Sequence, residues 1–214
     1  MSNQVVAGSD LTPQMFARLP GYYNYLRDLR VNQDEYVSAG AIAREFGFNE
    51  VQVRKDLAAV STTPGTPRKG FLVNDLLTSI GQQLGYNNDD EAVLIGVGKL
   101  GSALLAYRGF GKHGVHIVAA FDTDPTITGT QVANKTIRPL DDLPALCQRM
   151  SLRIGIIAVP SASAQNVCTL LVDNGIRAIW NFAPVHLRVP DGVLVQNENL
   201  PAQLARLSRL LANR

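Results

Sequence analysis

Three stretches of the 214-residue sequence predict an α/β chain built as two domains and a terminal helix. Residues 92–95 (AVLI) are a short apolar run that stops at Gly96. Gly96, Gly98 and Gly101 then keep the G-x-G-x-x-G spacing, ahead of a helical pattern and a second apolar run, 115–121, with Asp122 at its end. Upstream, two short helical patterns flank a tight turn at Gly47, and the second carries Gln52, Arg54 and Lys55 near its start. At the carboxyl end Leu200, Leu204, Leu207 and Leu211 repeat at helical spacing. The glycine unit is the mark of a Rossmann dinucleotide-binding domain. The helix pair, followed by turn-forming residues and a short apolar run, is that of a winged helix-turn-helix. The expected boundaries are 1–85 for the winged-helix DNA-binding domain, 86–199 for the Rossmann domain and 200–214 for the terminal helix.

With 46% hydrophobic and 18% charged residues the chain is globular rather than disordered. No apolar run approaches the ~18 residues of a membrane span. The amino terminus, MSNQVVAGSD, has neither a basic start nor a long apolar segment, so no secretory signal is expected and the cytoplasm is the default location. Cys147 and Cys168 are too few and too far apart for a metal motif or a disulfide framework, and read as small buried side chains on helices. A net charge of +2 is too small to mark a polyanion partner, so the local distribution of charge decides that question.

Along the first eighty residues, Thr12-Pro13 opens a helical pattern broken at Pro20 and resumed through Tyr22, Tyr25, Leu26 and Leu29. Ser38 can cap a helix with Ala39, Ile42, Ala43 and Phe46 on its apolar face, and Gly47 ends it. Asn49 caps the next helix, whose inward candidates are Val51, Val53, Leu57 and Val60. Its outward Gln52, Arg54 and Lys55 lie where a recognition helix meets base edges: arginine or lysine reaches guanine O6 and N7, glutamine pairs with adenine. A merely solvated helix face is the alternative. The tract STTPGTPRKG, 61–70, then turns throughout and FLV can return as a strand, a wing with Arg68 and Lys69 for phosphates. Over residues 52–70, Arg54, Lys55, Arg68 and Lys69 oppose only Asp56. Asn74 is placed as the cap of a further helix ending at Gly85, and the polar run 86–90 as the domain boundary.

In the glycine unit Gly96 makes the tight turn, Gly98 lets a pyrophosphate approach the backbone, and Gly101 lets the helix lie close on its strand. Gly96, Val97, Gly98, Lys99, Leu100 and Gly101 are therefore the expected phosphate-side contacts, at a helix start whose N–H groups favour an anion. Leu100, Ala103, Leu104 and Tyr107 form that helix's apolar stripe. The Asp122 carboxylate can accept from an adenosine ribose and repels a 2′-phosphate, which favours NADH and NAD⁺ over the phosphorylated forms. A turn could also claim this acid, but Asp124-Pro125 supplies one, leaving Asp122 free.

Beyond it, 125–137 reads as a polar connection, a helix starts near Asp142, and 154–159 is a strand ending at Pro160-Ser161. Ligands lie at the carboxyl ends of parallel strands, so Val159, Pro160 and Ser161 should border the cofactor. Helix 162–174, strand 176–182 and strand 193–196 follow. Asn181, Phe182, Ala183 and Pro184 are further candidates for the nicotinamide half. The last helix starts at Pro201, and its leucine stripe packs either on its own sheet or on another subunit. A dehydrogenase needs a proton donor and acceptor. His113, His116 and His186 have no acid nearby in sequence, and the ~120 residues after Asp90 leave no space for a separate substrate domain, so no catalytic residue is assigned. A small NAD-dependent oxidoreductase, a nucleotide-binding regulatory subunit and a CoA-binding module share parts of this pattern.

The blocks QVRKDL (52–57), IGVGKLGSALLAYRGF (95–110), IVAAFDTDP (117–125), IGIIAVP (154–160) and NFAPVHLRVPDGVLVQN (181–197) resemble those of the Rex family of redox-sensing transcriptional repressors along nearly the whole chain. The resemblance implies a homodimer that binds a palindromic operator when NAD⁺ dominates and releases it when NADH accumulates, with the terminal helix exchanged between subunits. Three departures stand out. The family's wing is typically glycine-rich, whereas 61–71 here carries two prolines and shifts its cations to Arg68-Lys69. The acid that reaches a tyrosine and an arginine, here Tyr107 and Arg27, is replaced by Asn199, and Leu200 stands where an aromatic is frequent. An amide offers a neutral hydrogen bond in place of a charge-assisted one, which is weaker.

Overall fold

The computed structural model describes residues 11–31 and 35–212. The chain divides into two compact units, Met1–Asn87 and Asn88–Arg214.

In the first unit α1, Pro13–Val31, runs unbroken through Pro20. The expected break does not occur because Leu19, Tyr22 and Leu26, all with no exposed surface, hold both halves on one core. Strand β1, Tyr36–Val37, leads into α2, Ala39–Phe46, whose cap is as expected: Ser38 Oγ accepts from the Ala41 N–H at 3.1 Å, and Gly47 ends the helix at φ 66°. Helix α3, Glu50–Val60, starts at Asn49, whose Oδ1 accepts from the Val51 and Gln52 N–H groups. Val53, Leu57 and Val60 face inward, but Val51 is 57% exposed. Two residues from Val53, it points nearly to the opposite side.

The wing is a tight turn rather than a long ribbon. Thr66 and Gly70 exchange both backbone bonds, at 2.7 and 2.9 Å, and β2, Phe71–Leu72, pairs with β1. Val73, expected in that strand, begins α4, Val73–Gln83. Asn74 lies inside this helix and does not cap it. Its neighbour Asp75 reaches back instead, accepting from Ser61 Oγ at 2.6 Å, from Thr62 Oγ1 and from Thr63, so the end of α3 is tied to the start of α4.

The second unit is a seven-stranded sheet in the order β5-β6-β4-β3-β7-β8-β9, parallel except for β5. Its members are β3 Asp90–Ile95, β4 Val115–Asp122, β5 Gln131–Val132, β6 Lys135–Pro139, β7 Ile154–Ile157, β8 Ala178–Asn181 and β9 Leu194–Asn197. One face is covered by α5, Lys99–Ala106; the other by α6, Leu143–Arg149, and α7, Ser161–Asp173. The polar connection of 125–137 in fact holds β5 and the start of β6. Ala133 and Asn134, both at positive φ, make the primed two-residue hairpin turn, and Ile137 is buried beside Ala120. Strands β7 and β8 are shorter than their apolar runs: 158–159 lie beyond the end of β7, and 176–177 and 182 flank β8. Helix α8, Leu200–Ala212, begins one residue before Pro201 and buries none of its described residues. Leu200, Leu204, Leu207 and Leu211 are each more than half exposed, so the stripe does not pack on its own sheet.

Candidate functional site

The carboxyl ends of β3, β4 and β7 frame a cleft of about 460 Å³ lined by Gly96, Gly98, Asp122, Asp124, Val159 and Pro160, among others. Gly96, at φ 93°, has no space for a side chain, since a Cβ would stand 2.7 Å from the Ala158 oxygen. Gly101 lies closer still, its Cβ position 1.9 Å from the Gly96 oxygen. Gly98 differs: nothing lies within 4 Å of its Cβ position, and it starts α5 without any side-chain cap. The first turn of α5 thus offers unpaired N–H groups to open space, which suits an anion. Lys99 and Leu100 stand exposed on that turn, and Val97 is buried beneath it. The buried side of α5 is Gly101 and Leu105, with Leu104 half-buried, rather than the stripe of Leu100, Ala103, Leu104 and Tyr107. The close seat of Gly101 on Gly96 sets that rotation.

Asp122 is not free. Its Oδ2 accepts from the Val97 N–H at 2.6 Å and its Oδ1 from the Asp124 N–H at 3.0 Å, so turn and glycine loop hold the carboxylate between them. Each oxygen keeps a lone pair for a further donor. Asp124 closes its own turn by accepting from Thr126, whose hydroxyl and N–H hold that carboxyl below the usual carboxylate range.

The second half of the expected cofactor site is rearranged. Ser163 lines the cleft, whereas Ser161, the exposed first residue of α7, does not. Asn181 is wholly buried and fully committed: its Nδ2 donates to the Ala183 and Val185 carbonyls and to Asn197 Oδ1, and its Oδ1 accepts from the Ala183 N–H. It is a knot at the end of β8, wholly shielded from solvent. Phe182 packs on Trp180 at 4.5 Å between centroids. Ala183 and Pro184 border a separate cavity of about 250 Å³ with His186, Glu198 and Asn199. Of the other histidines, His113 Nδ1 pairs with the Gly109 carbonyl, and His116 Nε2 lies 3.1 Å from Asp89 Oδ1 at the amino-terminal ends of β3 and β4, away from the cleft. Asp89, distant in sequence, is the acid partner that spacing did not reveal.

On α3, Gln52, Arg54 and Lys55 are all exposed. The acid counted against them, Asp56, is 5% exposed and faces inward. It accepts from Arg18 Nε and Nη2, both at 2.8 Å, and from the Tyr22 hydroxyl at 3.0 Å. Burial, together with Asp56, pushes the Tyr22 hydroxyl up to about 12. The hydrogen-bond network assigns the Gln52 carboxamide oxygen to Arg18, 3.1 Å from both terminal nitrogens, which leaves its NH₂ outward. Arg54 pairs with Glu50, one turn back. Ser38 and Asn49 spend their side-chain oxygens on helix caps. A cleft of about 450 Å³ lies between these helices and the wing, lined by Ser38, Arg54 and Arg68 among others. Lys69 Nζ sits 5.1 Å over the Tyr36 ring.

Arg27 is half-buried on α1. Tyr107 is 62% exposed, edge-on to Phe110. Asn199 Oδ1 accepts from the Ala202 N–H at 3.0 Å and so caps α8. Trp180 Nε1 donates to Glu198 beside it.

The family model described as "CoA binding domain" matches residues 87–185, and "Putative DNA-binding protein N-terminus" matches 12–58. The redox-sensing transcriptional repressor Rex of Treponema denticola is 38% identical over 194 residues, 91% of this chain and 92% of the relative. That of Carboxydothermus hydrogenoformans is 41% identical over 201 residues, 94% and 96%. Among solved structures, RSP in complex with β-NAD⁺ and operator DNA superposes with a TM-score of 0.87 at 30% identity, covering 94% of this chain and 93% of that one. RSP in complex with β-NADH gives 0.82 at 29% identity, covering 99% and 96%. With these relatives matched over nearly its full length, the chain belongs to the Rex family of redox-sensing transcriptional repressors.

Proposed function

We propose that two copies of this chain form a cytoplasmic repressor that holds NAD⁺ or NADH in the cleft of the second unit and lets go of a palindromic operator when NADH takes the place of NAD⁺. In this reading 1–85 reads DNA, 86–199 holds the nucleotide and 200–214 joins the copies. The observation that carries it is the open backbone at Gly98 beside a fixed Asp122 carboxylate, in the same chain as an exposed Gln52, Arg54 and Lys55. Gly98, Lys99 and Leu100 would carry the pyrophosphate at the start of α5, Asp122 the adenosine ribose, and Val159 and Pro160 the adjoining wall. The relatives solved with β-NAD⁺ and operator DNA and with β-NADH support the pairing of ligand and DNA. Among the described residues no helix is long and apolar enough to cross a membrane. The face of α8 that carries Leu204, Leu207 and Leu211 docks on the second copy, which buries what one chain leaves exposed.

Bound there, the nicotinamide supplies a ring whose positive charge is lost on reduction. The chain's part is to translate that into the angle between its DNA-reading helices, which must stand about 34 Å apart to enter successive major grooves. A coupling of about 1–3 kcal/mol is enough. The test is a titration of a palindromic duplex selected by the chain itself, with NAD⁺ or NADH present. NADH should raise the dissociation constant about 5- to 150-fold, and equal effects of both nucleotides would remove the sensing claim. CoA, whose ribose carries a 3′-phosphate, faces Asp122 and Asp124 at the same cleft and should not displace NADH.

A further inference from the structure

An acid on a DNA-facing surface needs a reason, because its charge opposes the phosphates. Glu50 is such an acid. It is the first residue of α3, and its Oε1 accepts from Arg54 Nη2 one turn on. The two side chains are 51% and 63% exposed, so the pair adds little to the stability of the fold. Both line the cleft between α2, α3 and the wing turn. The backbone of α2 makes the seat of the carboxylate: Gly40 has no side chain, and a methyl group there would stand 3.1 Å from Glu50 Oε2. Arg44 Nη1 lies 3.6 Å from that same point, so a second cation stands close by.

A free arginine loses rotamer freedom when it reaches a base, whereas one already held by a carboxylate has lost it beforehand. Bidentate contact with guanine O6 and N7 also needs the guanidinium plane set at one angle. We propose that Glu50 is a positioning residue that determines specificity, using the bare surface of Gly40 to hold Arg54 at its base-reading angle. The inference rests on the reading of α3 as the element that enters DNA.

The test uses the full chain with NAD⁺, a palindromic duplex that the native chain selects from a randomised pool, and a scrambled duplex, all at one salt concentration. Arg54→Ala should lose about ten-fold in preference at one base pair of each half-site. Glu50→Gln should lose a similar factor at that same base pair, bind the scrambled duplex more tightly because a negative charge is gone, and add no further loss when combined with Arg54→Ala. Gly40→Ala changes no charge. Alanine favours the helix, so thermal stability should rise, while the methyl group displaces Glu50 and the same base preference should fall.

If Glu50 only suits the first turn of α3, Glu50→Gln and Gly40→Ala leave base preference intact, and that result overturns the proposal. Relaxation at a base pair different from that of Arg54→Ala also overturns it, because Glu50 would then be accepting from a cytosine amine itself. A native chain that selects no sequence would instead refute the DNA-binding reading, and the inference with it.

Discussion

Gly98→Ala separates holding a dinucleotide from folding. Gly98 sits at φ −66° and ψ −164°, a backbone shape alanine adopts readily, and an added Cβ meets no protein atom within 4 Å. Fold stability should therefore stay within about 0.5 kcal/mol of the native chain. A pyrophosphate drawn against this backbone would place oxygens about 2.9 Å from the N–H groups, nearer than a methyl group allows. Displacing it loses about 1.5–3 kcal/mol of charge-assisted hydrogen bonding, or about 10- to 150-fold in Kd. The assay is an NADH fluorescence titration with thermal unfolding of the same samples. Gly101→Ala is the contrasting variant: its Cβ would stand 1.9 Å from the Gly96 oxygen, so it should lose stability as well as affinity. Unchanged NADH affinity in Gly98→Ala would refute the placing of the pyrophosphate on the first turn of α5.

Asp56→Ala leaves Arg18, whose side chain is 16% exposed, without its carboxylate and the Tyr22 hydroxyl without its acceptor, and should cost about 3 kcal/mol in urea unfolding; a loss under about 1 kcal/mol would contradict the tie between α1 and α3. Burial raises the Asp75 carboxyl, but hydrogen bonds from Ser61, Thr62 and Thr63 outweigh it and hold the group below the ordinary 3.8. That stabilisation is present above the unfolded value and disappears as pH falls through the lower folded one, so the stability gap between native and Asp75→Asn should close on acidification below about pH 4; a gap independent of pH would count against it. Leu207→Asp should give a monomer in sedimentation with NADH affinity retained, whereas a dimer that survives this change would exclude the leucine face of α8 as the join.

What was legible in the sequence was whatever depends on local backbone demands. The spacing of Gly96, Gly98 and Gly101, the Gly47 turn and the Ser38 and Asn49 caps each follow from a few neighbouring residues, and each sits where expected. Faces of short helices were less legible: Val51, Leu100 and Tyr107 are apolar but exposed, because tertiary seating rather than apolar count sets rotation. Partners far apart were invisible. Arg18 and Asp56 are separated by 38 positions, and the carboxamide of Asn181 is consumed in part by Asn197 on the neighbouring strand. Asp122 was found as the acid at the end of β4, but its grip on the Val97 N–H depends on how the loop folds back across the sheet.

The most direct measurement is NADH affinity with and without a saturating palindromic duplex. Linkage requires that DNA weaken NADH by the factor by which NADH weakens DNA, about 5- to 150-fold. Equal factors from the two titrations are the predicted result. An NADH dissociation constant indifferent to the duplex would contradict a cofactor that governs DNA binding.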